Sequence, residues 1–250
     1  MSVVVEVVSV SVAQRLQEVS LALPGAGVSC VLGQNGAGKT TLLECVAGLL
    51  APDKGTIYWQ SVDLESVPLT EQAAVRCYQT QGDSMQFELT AREFLSFYTQ
   101  GAGSDLIPDE LETVLEVAVL LDKPFVRLSG GEQQRVTLAR TLLQNWAGVL
   151  AGKCLIVLDE PLKGLDIRHQ RIFLQFLRTL AGYGNQVMFS CHDINAALSC
   201  ADFACLLKQG KLLAAGPCME VVTTESLQQV FDCEFEFVPA LNCGIYLQKP

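Results

Sequence analysis

An α/β fold built on a mainly parallel sheet is predicted by two features of this 250-residue sequence. Apolar runs of strand length alternate along the chain with segments of helical spacing. A glycine-rich octet, Gly33-Gln34-Asn35-Gly36-Ala37-Gly38-Lys39-Thr40, stands between one such run and one such helix. Half of the residues are hydrophobic, so a sizeable core is available.

Taken in order, the Val-rich alternating residues 2–24, closed by Pro24-Gly25, read as antiparallel strands, as does Gly55–Trp59. Val28–Leu32 is a buried strand entering the octet, and Thr41–Gly48 is the helix leaving it. Val75–Tyr78 is strand-like. From about Thr90 to Asn145 the spacing is helical: Phe94, Leu95, Phe97 and Tyr98 mark one helix. Leu111, Val114, Leu115, Ala118 and Leu121 mark a second, with Gly101–Ser104 and Pro108 between them. Val136, Leu138, Ala139, Leu142 and Leu143 mark another. Leu155–Leu158, Val187–Ser190 and Phe203–Leu207 complete the core strands, and Lys208–Lys211 is a turn. No repeat, low-complexity tract or linker intervenes, which predicts a single domain over residues 1–250.

Lys and Arg number 17 against 27 Asp and Glu, a formal charge of −10, with no basic run. Such a chain is a poor match for nucleic acid. No stretch reaches the roughly 18 apolar residues of a membrane span, and the N-terminus lacks the pattern of a secretory signal. A soluble, cytoplasmic protein is expected, with any membrane role exercised through a partner. The ten cysteines include no C-x-x-C spacing, and Cys30, Cys154 and Cys205 sit in strand-like runs. They read as buried reduced thiols rather than metal ligands.

The octet fits G-x-x-x-x-G-K-[ST], the pattern of a phosphate-binding loop. Its glycines let successive backbone N–H groups face one concavity, and the following helix adds its positive end. Lys39 supplies a cation for the β- and γ-phosphates, and the Thr40 hydroxyl can ligate Mg²⁺. Leu155-Ile156-Val157-Leu158-Asp159-Glu160 is a buried strand ending in two acids at the carboxyl edge of the sheet. Asp159 is expected to hold Mg²⁺ opposite Thr40, and Glu160 to act as general base. Leu128-Ser129-Gly130-Gly131-Glu132-Gln133-Gln134 reads as a capping box opening a helix, with uncovered amides for a second anion site.

In this order, the phosphate loop, the Ser129-Gly130-Gly131 segment and Asp159-Glu160 resemble the nucleotide-binding subunit of ATP-binding cassette (ABC) transporters, over nearly the whole chain. The resemblance implies a P-loop NTPase core with an antiparallel β subdomain and a helical subdomain at about 84–145. It implies ATP bound by Gly33, Gln34, Asn35, Gly36, Ala37, Gly38, Lys39, Thr40 and Thr41, with Mg²⁺ at Thr40, Gln81 and Asp159. It further implies a homodimer in which Ser129, Gly130, Gly131 and Glu132 of one subunit close on the γ-phosphate held by the other. Gln81 resembles the family glutamine that contacts Mg²⁺ and senses the membrane partner, with Gln79 as its competitor. Asp166 resembles the aspartate that communicates between opposed sites, and His192 the switch histidine that orients Glu160.

The resemblance also implies partners: two transmembrane permease subunits and a periplasmic substrate-binding protein, with this chain on the cytoplasmic face of the inner membrane. The stretch Val8–Leu16 lacks the aromatic on which most members stack adenine, leaving an aliphatic or Arg15 contact. That gap, the long Gln144–Lys153 connection and the missing threonine after Pro161 are similar to the vitamin B12 (cobalamin) import branch. Iron–siderophore and haem importers are the alternatives. A DNA-repair ATPase with the same motifs would separate Lys39 from Ser129 by a long coiled coil, and no sustained heptad lies between them. A non-hydrolysing regulator would not need Glu160 and His192 together.

Overall fold

The computed structural model describes residues 5–80, 88–99, 106–239 and 244–248. Period-two alternation buries one face of the first hairpin, β1 (Val5–Val12) with β2 (Leu16–Ala22), through Val5, Val7, Val10, Val19 and Leu21. β3 (Gly27–Leu32) then leads into the octet, and α1 (Lys39–Val46) leads out of it. β4 (Lys54–Trp59) and the short β5 (Val62–Asp63) return to the first hairpin, completing an antiparallel sheet of order β2-β1-β4-β5. α2 (Leu69–Ala74) precedes β6 (Arg76–Gln79).

The helical stretch follows as α3 (Ala91–Ser96), α4 (Asp109–Leu115) and α5 (Gly130–Leu143). The second helix is shorter than its apolar spacing suggests. Glu116 adopts a left-handed backbone, φ +49°, and ends α4, so residues 118–120 form only a 3₁₀ turn. The guanidinium of Arg140 on α5 lies over the rings of Phe94 and Tyr98, at 5.6 and 5.4 Å, and fixes α5 against the α3 region. The Gln144–Lys153 connection contains a helix of its own, α6 (Trp146–Leu150), capped by the Asn145 side chain.

β7 (Leu155–Leu158), α7 (Ile167–Gly182), β8 (Gln186–Cys191), α8 (Ile194–Cys200) and β9 (Phe203–Lys208) alternate as predicted. Cys154 lies just before β7 rather than inside it. β10 (Lys211–Pro217), α9 (Cys218–Val221) and α10 (Thr224–Phe231) follow, then a hairpin of β11 (Phe235–Pro239) and β12 (Gly244–Gln248) that the sequence pattern does not mark. The six-stranded sheet runs β10-β9-β3-β8-β7-β6 and is parallel except for β10.

Both faces of the sheet's centre are covered, so β3, β7, β8 and β9 are buried without alternation. Cys30, Leu32, Ile156, Leu158 and Phe189 face the helices α3, α4, α5 and α7. Val31, Leu155, Val157, Met188 and Leu207 face α1 and the antiparallel sheet. Every described cysteine is a free thiol, and all but Cys233 are buried. Among the described residues no helix is long and apolar enough to cross a membrane.

Candidate functional site

The octet wraps the N-terminus of α1. Gly36 and Gly38 take left-handed φ values of +77° and +102° that a side chain would strain. A Cβ at Gly33 would stand 2.4 Å from the Leu207 carbonyl oxygen. The loop is thus wedged against the end of β9, and no acidic residue in the first turn of α1 offsets the positive end of the helix. Lys39 is buried, and its Nζ donates to the carbonyls of Gly33 (2.8 Å) and Gln34 (3.1 Å). Burial holds its ammonium below the usual lysine range, opposed by Glu160 and Asp159. The Gln34 side chain donates to the Phe231 carbonyl at 2.7 Å, tying the loop to the end of α10.

The two acids after β7 sit beside this loop. Asp159 is buried, and its Oδ2 accepts from the Thr40 hydroxyl at 2.6 Å. Its Oδ1 accepts from Ser190 Oγ at 2.5 Å. Glu160 takes a left-handed backbone, φ +50°, and its amide donates to the same Ser190 oxygen at 2.8 Å. The His192 Nε2 is hydrogen-bonded to Glu160 Oε1, and Lys163 Nζ stands 3.7 Å from Glu160 Oε2. A cavity of about 710 Å³ opens here, bordered by Arg15, Asn35, Gly38, Lys39, Glu160 and His192 among others.

Other predicted residues lie apart from that cavity. Ser129 caps α5 with a complete capping box: its Oγ accepts from Glu132 N at 3.3 Å, and Glu132 Oε2 accepts from Ser129 N at 2.8 Å. The Ser129 amide, the Ser129 hydroxyl and Lys123 together lower the Glu132 carboxyl to about 2. A Cβ at Gly131 would meet the Gly164 carbonyl oxygen at 2.6 Å, whereas Gly130 faces open space. Asp166 caps α7, accepting from His169 N at 2.9 Å and pairing with His169 Nδ1 at 2.8 Å. Gln79 ends β6, buried, with no hydrogen-bond partner at its Oε1. Gln81 lies outside the described residues.

Sequence reasoning passed over Ser190, Gln14 and Lys163. Ser190 ends an apolar run and reads there as a strand residue only. Gln14 also borders the cavity, at the β1–β2 turn, where the stacking aromatic is missing. Lys163 sits on a turn three residues after Glu160, and charge on a turn carries no signal of its own.

The sequence pattern described as ABC transporter matches residues 16–163. The chain belongs to the ABC transporter family. It is 34% identical over 241 residues to a hemin import ATP-binding protein of Chelativorans, covering 95% of this chain and 92% of that one. It is 37% identical over 238 residues to a hemin import ATP-binding protein of Mesorhizobium japonicum, covering 91% and 90%. A vitamin B12 import ATP-binding protein of Vibrio atlanticus is 32% identical over 244 residues, covering 95% and 97%. The fold of this ABC protein is similar to an inward-facing, putative metal-chelate type ABC transporter, with a TM-score of 0.78 at 24% identity over 100% of this chain and 98% of that one. It is also similar to a dimeric ATP-binding cassette bound to ADP and phosphate, with a TM-score of 0.72 at 24% identity over 86% and 98%.

Proposed function

We propose that this ABC protein is the ATP-hydrolysing subunit of an importer for a metal–tetrapyrrole cargo, cobalamin or haem. The observation that carries the ATPase reading is the meeting of Thr40 with Asp159 and of His192 with Glu160 beside one buried lysine. Thr40 and Asp159 offer hard oxygen donors that suit Mg²⁺, with Gln81 as the third ligand we assign. Bound there, the ion would offset charge on the β- and γ-phosphates.

The chain's own residues do the rest. The amides of residues 36–40 and the Lys39 ammonium bind and orient the polyphosphate. Glu160 takes a proton from a water as its oxygen attacks the γ-phosphorus in line, and the bond to the ADP oxygen breaks. His192 holds the Glu160 carboxylate and contacts the γ-phosphate. Ser129, Gly130, Gly131 and Glu132 from a second copy complete the site, which is why they need not border the cavity of their own chain. Asp166 links the two opposed sites. The ATPase dimer meets two permease subunits at the cytoplasmic face of the inner membrane, each chain through residues 81–88, and a periplasmic binding protein delivers cargo.

For the cargo, relatives named for hemin import and for vitamin B12 import align over nearly the whole chain at similar identity. The features resembling the cobalamin branch do not separate the two. Uptake of labelled cobalamin, haem and a ferric siderophore in a deletion strain is the test. Loss of cobalamin or haem uptake is expected, and loss of siderophore uptake alone would move the cargo to the iron importers.

A further inference from the structure

Ser190 places a fully buried hydroxyl near the carboxyl end of β8, beside the buried Asp159. β7 and β8 run parallel with Leu158 opposite Phe189, so the next residues, Asp159 and Ser190, fall side by side. Met188 faces α1, and Ser190 two residues on shares that face. Its Oγ therefore reaches Asp159 Oδ1 at 2.5 Å and the Glu160 amide at 2.8 Å.

Proton supply fixes the direction of this chain. An amide only donates, an ionised carboxylate only accepts, and a serine hydroxyl has one proton. The relay therefore runs from Glu160 N–H to Ser190 Oγ, and from Ser190 O–H to Asp159 Oδ1. Its first bond holds the amide of a residue in the left-handed region, φ +50°, where a glutamate needs support from its surroundings. Its second bond occupies one carboxylate oxygen and leaves Oδ2 turned to Thr40.

We propose that Ser190 is the positioning residue for both acids, setting the rotation of Asp159 toward the metal site and the direction of Glu160 toward His192. The proposal rests on the ATPase reading above. Ser190 borders the site cavity, but in this assignment it acts through the Asp159 carboxylate and the Glu160 amide rather than on the nucleotide or the water. An alanine or valine would serve the strand equally well but would leave the Glu160 amide unpaired and Asp159 held by Thr40 alone.

The test compares Ser190→Ala, Ser190→Cys and Ser190→Thr with the wild-type chain. Cysteine is near in volume but a weak donor, so it carries the test if alanine lowers stability. Mn²⁺ affinity, read by electron paramagnetic resonance with a non-hydrolysable ATP analogue, should fall about 10-fold in Ala and Cys. ATPase turnover should fall about 10- to 100-fold. Nucleotide affinity in EDTA should stay within about 2-fold, and Thr should restore both metal affinity and turnover. Folded Ala and Cys variants with wild-type Mn²⁺ affinity and turnover would overturn the proposal. So would a loss of EDTA nucleotide affinity equal to the loss of metal affinity, which marks general damage. A wild-type chain that binds no nucleotide would instead remove the ATPase reading, and this proposal with it.

Discussion

Thr40 and Asp159 are 119 positions apart in the chain, yet the hydroxyl of one donates to the carboxylate of the other at 2.6 Å. One belongs to the first turn of α1 and the other follows β7, so the contact joins the two motifs we propose as the metal site. Asp159→Asn keeps the shape and removes the charge. Turnover should fall roughly 100-fold or more, since a metal ion supplies several kcal/mol of charge stabilisation. Nucleotide binding in EDTA should change little. An Asn variant with wild-type Mg²⁺ dependence would remove Asp159 from the metal site.

Glu160→Gln should bind ATP and lose turnover by about 10²- to 10⁴-fold, the contribution typical of a positioned general base. Its nucleotide-bound dimer should persist. Size-exclusion chromatography with ATP and Mg²⁺ checks this. A monomer under all conditions, together with wild-type turnover, would sink the role assigned to Glu160.

Lys39→Ala removes a buried donor shared by the Gly33 and Gln34 carbonyls, and with it the cation we propose for the phosphates. ATP affinity measured by calorimetry should drop by about 10- to 100-fold, from the 1.5–3 kcal/mol of a charged hydrogen bond. Unchanged affinity would be fatal to the phosphate-loop reading.

Buried thiols predict an alkaline limit to stability. Burial pushes Cys45, Cys191, Cys200 and Cys205 up to about 12 and Cys218 up to about 11. Below about pH 8.5 both folded and unfolded thiols keep their protons, and the contribution to stability is complete. Above it the unfolded chain ionises first. Stability is then lost progressively up to the folded values, by about 1.4 kcal/mol per pH unit for each fully shielded thiol. Urea midpoints should fall between pH 8 and pH 10, and Cys205→Ala should flatten that fall. A midpoint independent of pH over this range would contradict the burial argument.

What was legible in the sequence was what chemistry constrains at close spacing. The octet, Asp159-Glu160 and the Ser129–Glu132 capping box each work within a few residues, and the central strands β3, β7, β8 and β9 announce themselves by mainly apolar runs. The fold class and the ABC family followed from them. Less legible were features that depend on a distant partner. Ser190 gains its meaning only beside Asp159, and Gln34 only beside Phe231. The stop of α4 at Glu116 escaped the periodicity because its apolar spacing continues, while Arg168, at 2.6 Å from the Glu116 carboxylate, comes from α7. The β11–β12 hairpin is short and only partly buried, so its alternation had little to set it apart.

The strand order has a consequence for how this protein comes into being. β3, which carries the phosphate loop, is paired on one side with β8 and on the other with β9. A nascent chain emerges from its N-terminus, so this strand waits without either neighbour until residues 186–208 have been made. Contacts of such separation slow folding through the entropy of closing long loops. The site for the nucleotide is therefore encoded early and assembled late, and a chain broken off before β8 carries the octet with no sheet to hold it.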